Sequence, residues 1–112
     1  MLEKLAALAR QTLSRERFEW LVAFDGDAPS LRTRLERERP ADLRLRTVVT
    51  SGVGPGPARD AAAALARFDV LYLSDDDCRP DPGTLARHLE AQAAPAIYLG
   101  EVIFVAADGT RT

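Results

Sequence analysis

At 112 residues the chain has room for one compact domain and not for two. Its make-up, 46% hydrophobic and 29% charged, is that of a globular protein with a modest core. A net charge of −2 excludes the basic excess of a general nucleic-acid binder, and no apolar run approaches the ~18–20 residues that span a bilayer.

The one cysteine, Cys78, has no partner for an internal disulfide, and the N-terminus reads as an amphipathic helix rather than a signal peptide. Both point to a reducing cytoplasm. Fourteen of the fifteen basic residues are arginine; the exception is Lys4. Arg34, Arg37, Arg39, Arg44 and Arg46 alternate with Glu36 and Glu38, the pattern of a solvated mixed-charge face.

In chain order, Leu2, Leu5, Ala6, Ala9 and Leu13 recur at helical spacing, which predicts a helix over 2–13 with Lys4 and Arg10 off its apolar stripe. Phe18 to Phe24 is a short apolar run with aromatics, a buried strand by pattern, closed by the turn signal Asp25-Gly26-Asp27. Ser30 is placed to cap a short helix carrying Leu31 and Leu35. Leu43, Leu45, Thr47 and Val49 alternate with Arg44, Arg46 and Val48, the period of a strand with one wetter face. Thr50 to Pro57 is a loop by composition, and an alanine-rich helix follows over about 58–67. Asp69 to Leu73 predicts a second buried strand, again ending in acid at Ser74-Asp75-Asp76-Asp77. Asp81-Pro82 resembles a cap followed by proline at the first helical position, opening a helix with Leu85 and Leu89. Ala96 to Leu99 and Glu101 to Ala106 predict strands, with a turn at Asp108-Gly109.

Alternating helix and strand predicts an α/β domain with a mostly parallel sheet and flanking helices. In such sheets ligands bind beyond the carboxyl ends of the strands, where Asp25, Asp27, Asp75, Asp76 and Asp77 all fall. Three consecutive aspartates repel one another and are tolerated when solvated or neutralised by a cation. Hard carboxylate oxygens suit Mg²⁺ or Mn²⁺. In an extended stretch, Asp75 and Asp77 point the same way and can share an ion that Asp76 reaches less easily. The competing reading is a polar loop in which aspartate forms turns and caps. Asp25 and Asp27 have the same pair of readings: an Asp-Gly turn, or a carboxylate accepting hydrogen bonds from a nucleobase or ribose.

Gly52-Val53-Gly54-Pro55-Gly56-Pro57 leads straight into a helix, so its backbone can approach an anion at a helix N-terminus. It is neither a Walker loop nor a dinucleotide fingerprint. Arg59 then falls in the first turn, an unfavourable place for a cation that a bound diphosphate, or pairing with Asp60, would explain. His88 reads as a boundary residue, Cys78 as a small packing residue, and Trp20 and Tyr72 as core.

Gln11-Thr12-Leu13, FEWLVAFDGD, GVGPGPARD and LYLSDDDCRPDPGTL occur in the order found in family 2 glycosyltransferases of the GT-A fold, which this chain resembles over about residues 5–100. The last segment is the most specific. The resemblance implies a nucleotide-sugar-binding domain that, with a divalent metal, passes a sugar to an acceptor hydroxyl. It implies that Asp25, Asp27, Gly54, Arg59, Asp75 and Asp76 contact a UDP- or GDP-linked sugar. It implies too that Asp75 and Asp77, as the Asp-x-Asp motif, hold Mn²⁺ or Mg²⁺ on the diphosphate.

The chain departs from the family's pattern in four places. Phe24 stands where the first of two acids is usual, and Asp60 replaces an asparagine. The family's first strand would precede Leu2, and the catalytic carboxylate and acceptor region would follow Gly100, so no general base is nominated. The missing strand is central in the family's sheet, between the strands at 18–24 and 69–73. Residues 1–112 are therefore expected to form a single partial domain with a rearranged sheet, or with a sheet completed by a homodimer.

A non-catalytic nucleotide- and metal-binding or interaction remnant of that fold is the alternative. Phe24-Asp25-Gly26-Asp27 also resembles the motif of haloacid-dehalogenase-type phosphatases, and receiver domains place carboxylates at strand ends too. Both need a lysine late in the chain, and none follows Lys4.

Overall fold

The computed structural model describes residues 1–92, so the strands and turn expected beyond Pro95 lie outside the described residues. Helix α1 (Leu2–Ala9) and a single 3₁₀ turn (Arg15–Arg17) lead to strand β1 (Trp20–Asp25). Helix α2 (Pro29–Glu38) connects it to β2 (Leu45–Thr50), and α3 (Pro55–Ala63) and α4 (Thr84–Ala91) follow. The domain is α/β, and β1 and β2 pair in parallel with Trp20 opposite Leu45 and Asp25 opposite Thr50.

The core sits on one face of this pair. Val22 and Phe24, two apart on β1, point the same way and pack with Leu5 and Leu8 of α1, Leu13, Phe18, Leu35 of α2 and Leu43. Leu35 and Leu43 are fully enclosed, and Leu85 and Leu89 of α4 pack against the same cluster. Helix α3 packs on both strands with Ala58 buried outside that cluster, so it covers the opposite face. Glu19, just before β1, ties α3 in place. Its carboxylate accepts from Arg46 Nη2 at 2.9 Å and from the Arg67 N–H at 2.8 Å, while Arg46 also donates to the Leu65 carbonyl.

Several element boundaries differ from the sequence expectations. Ser30 is not a cap, because α2 begins one residue earlier with Pro29 in its first turn and Ala28 at the cap position. Proline has no N–H to lose at that position, so the helix starts there. For the same reason α3 begins at Pro55 with Gly54 as its cap, three residues before the expected start. Arg59 therefore lies beyond the first turn, and the dipole conflict expected for it is relieved. Helix α4 is capped by Gly83 rather than Asp81.

The largest difference is at Asp69–Leu73, which belongs to no strand. Val70, Leu71, Tyr72 and Leu73 are exposed, Leu73 by 66%, so Tyr72 is not core. The reason is visible in β1. Trp20 donates to Arg44 and Gly26 to Thr50, so alternate residues of β1 face β2. Leu21, Ala23 and Asp25 turn their backbone groups to the other edge, which nothing among the described residues pairs with. A groove of about 730 Å³ opens there, with Leu21 and Ala23 on one wall and Leu71 to Ser74 on the other. Among the described residues the two segments do not pair directly, and no rearranged strand closes the gap between them.

Candidate functional site

One end of this groove gathers the residues that the sequence singled out. Asp25, Arg59, Asp75 and Asp76 all line it. Asp25 ends β1, and its carboxylate clamps the glycine loop. One oxygen accepts from Thr50 Oγ1 at 2.7 Å and from the Val53 N–H at 2.8 Å; the other accepts from the Gly54 N–H at 2.8 Å. These donors, Thr50 foremost and then the Gly54 and Val53 amides, hold its pKa below the usual carboxylate value. Gly52 and Gly54 have φ of +69° and +95°, and a Cβ on either would meet open space. Glycine is needed here for backbone conformation, not for close packing.

Asp27 points elsewhere: it pairs with Arg32 of α2 at 3.0 Å. Arg59 reaches from α3 to the Asp75 carboxylate, an exposed ion pair of small energetic weight that still joins the glycine-loop helix to the acidic segment.

The aspartates form a turn rather than an extended stretch, closed by the Cys78 N–H donating to the Asp75 carbonyl at 3.2 Å. The turn, and not strand alternation, is what brings Asp75 and Asp77 together. Their carboxylate oxygens and Cys78 Sγ lie within 4.8 Å of one another. Cys78 thus sits beside these two carboxylates and is not simply packing. Asp76 is exposed on the same turn.

Sequence reasoning gave no role to two residues that shape this end, although Gln11 stood in the first of the family's segments. Gln11 is buried, and its amide clips the outgoing chain. Nε2 donates to the carbonyls of Pro80 (3.3 Å) and Asp81 (2.8 Å), and Oε1 accepts from the Leu85 N–H at 3.1 Å. The adjacent Thr12 N–H donates to Pro82 O at 2.8 Å. Lys4, expected off the apolar stripe of α1, is 6% exposed and reaches the acidic turn. A cluster of carboxylates calls for a nearby cation, but nothing in the sequence says which basic residue supplies it. His88, half-buried on α4, stacks obliquely on Tyr72 with ring centroids 5.3 Å apart.

The family model "Glycosyl transferase family 2" matches residues 1–112, the whole chain. The chain belongs to glycosyl transferase family 2. No curated protein and no solved structure matches it. Membership supports glycosyl transfer as the function and a nucleotide-linked sugar as the donor class. Family 2 glycosyltransferases are generally metal-dependent, and this chain's donor set can be tested for that. Two carboxylates at coordinating separation fit Mn²⁺ or Mg²⁺, whereas the Cys78 thiol is a soft ligand that suits neither. Among the described residues of this family 2 glycosyltransferase, no helix is long and apolar enough to cross a membrane.

Proposed function

We propose that this glycosyltransferase domain binds a UDP- or GDP-linked sugar at the acidic end of the groove and passes the sugar to an acceptor hydroxyl. The observation that carries the reading is the convergence of Asp75 and Asp77 on one turn, with Arg59 reaching across to it from the glycine-loop helix. Asp75 and Asp77 would hold Mn²⁺ or Mg²⁺, which supplies charge neutralisation for the departing diphosphate. Arg59 adds a fixed positive charge beside the same oxygens. Asp25 holds the loop at 52–54 in shape, and together with Gly54 and Asp76 it completes the proposed nucleotide-sugar contacts, whereas Asp27, paired with Arg32, is left out of them. No described residue is assigned as the base that deprotonates the acceptor.

The edge of β1, unpaired among the described residues, and the exposed apolar run Val70–Leu73 support a second reading, in which the groove is completed by a second copy of the chain through the sheet. In that case the isolated chain binds nucleotide without turnover.

Thermal denaturation with UDP, GDP and their sugars, with and without Mn²⁺, tests the first reading. A specific ligand at 100 times its Kd stabilises by roughly 2.7 kcal/mol. The expected result is a metal-dependent rise in Tm that Asp77→Asn abolishes. No shift with any nucleotide would defeat the donor-site assignment.

A further inference from the structure

Lys4 is the chain's one lysine, and it is among the most deeply buried side chains of α1. Its ammonium donates to Ser74 Oγ at 2.7 Å and to the main-chain carbonyl of Asp75, 70 and 71 residues away in sequence. Burying a lysine is unfavourable unless its charge is matched, and here the match comes from the acidic turn. Burial pulls the Lys4 pKa below the ordinary lysine value, while Cys78, Asp76, Asp75 and Asp77 all act in the opposite direction. Asp75 is thus held on two sides, its carbonyl by Lys4 and its carboxylate by Arg59. The two cations differ in kind. Arg59 is 47% exposed and screened by water, whereas Lys4 is 6% exposed and less screened.

We infer that Lys4 is the resident counter-cation of the Asp75–Asp77 turn, a positioning residue that keeps the turn folded when no divalent ion is bound and that opposes the ion electrostatically. Three carboxylates on one turn repel each other, and a fixed ammonium beneath them offsets that repulsion continuously. The same charge lies close to any divalent ion held by Asp75 and Asp77, so it weakens that ion's binding. A turn built this way is shaped before the ion arrives and releases the ion readily. The part concerning the divalent ion rests on the reading of Asp75 and Asp77 as its ligands; the link between Lys4 and the turn does not.

The test is a double-mutant cycle in EDTA, read as Tm, with Lys4→Met in the wild type and in an Asp76→Asn/Asp77→Asn background. Methionine keeps the length and burial of the side chain and removes its charge. The expected loss is about 8 °C in the wild type and less than half of that in the neutralised background, with recovery in Lys4→Arg. Equal losses in both backgrounds would show that Lys4 acts only through its hydrogen bonds to Ser74 and the Asp75 carbonyl, not as a counter-charge, and would overturn the inference. If Lys4→Met fails to fold, the same variant folding in the neutralised background is the expected result. Failure in both backgrounds overturns it.

A Mn²⁺ titration followed by the loss of the free-ion EPR signal forms a second arm. Removing one nearby positive charge should tighten Mn²⁺ binding by about threefold or more. Unchanged affinity would overturn the competition between Lys4 and the ion. Coupling in EDTA with no Mn²⁺ bound by either protein would leave the counter-cation role standing, and would defeat the cation reading of Asp75 and Asp77 along with the competition drawn from it.

Discussion

Replacing Gln11 by methionine removes four hydrogen bonds while keeping the shape of a buried side chain, which is 8% exposed. Three of the four reach the segment that runs from the acidic turn into α4. The Leu85 N–H belongs to the first turn of α4, where no intrahelical acceptor exists, so its loss resembles the loss of a helix cap, about 1 kcal/mol. Pro80 is buried, and its carbonyl loses a donor that water replaces poorly; Asp81 is exposed, and its carbonyl recovers most of the loss from solvent. Together these give about 2 kcal/mol, and for a domain of this size a fall in Tm of about 8–16 °C. Thermal unfolding followed by far-UV circular dichroism measures this, with a urea titration to show that the m-value is unchanged. A Tm within about 3 °C of wild type would refute the reasoning, because the path of residues 80–85 would then be fixed by something other than the Gln11 amide.

Three further outcomes are expected. Gly54→Ala forces a Cβ onto a residue at φ +95° and ψ 169°, a region that side chains avoid, and should cost about 1–3 kcal/mol in urea unfolding although the space around it is open. Glu19→Gln removes the charge that joins Arg46 and the Arg67 N–H. With Arg46 one-third exposed, the loss should be about 1–2 kcal/mol and should shrink in an Arg46→Met background, where only the Arg67 N–H remains as a partner, as a double-mutant cycle would show. The Asp25 carboxylate is held below the usual carboxylate value, so the stability it lends is present above the unfolded pKa of about 4 and is lost as pH falls through the lower folded value. Amide exchange at Val53 and Gly54 should therefore lose protection below about pH 4 in the wild type, and should already lack it at neutral pH in Asp25→Asn.

Local chemistry was legible in the sequence wherever the decisive forces act between near neighbours. The apolar run before Asp25, the alternation through Leu45 and Val49, and the proline and glycine punctuation gave the α/β class and the order of the elements, to within a few residues at each boundary. The order of the motifs gave the family. The third strand was not legible in that way. DVLYL has a strand's composition, but a strand exists only where a neighbour satisfies its backbone, and among the described residues β1's free edge does not reach it. Tertiary packing also decided the fates of Lys4, Gln11 and Cys78. A step of one residue, about 100° of helical phase, separates a solvated lysine from a buried one, and an amide finds its carbonyl partners only after α1 and the segment before α4 have been brought side by side. The sequence by itself determined which residues could carry charge or bend the chain. Which of those charges face one another was settled only by folding, because electrostatic and hydrogen-bond partners here lie about seventy residues apart along the chain and within 3 Å or so in space.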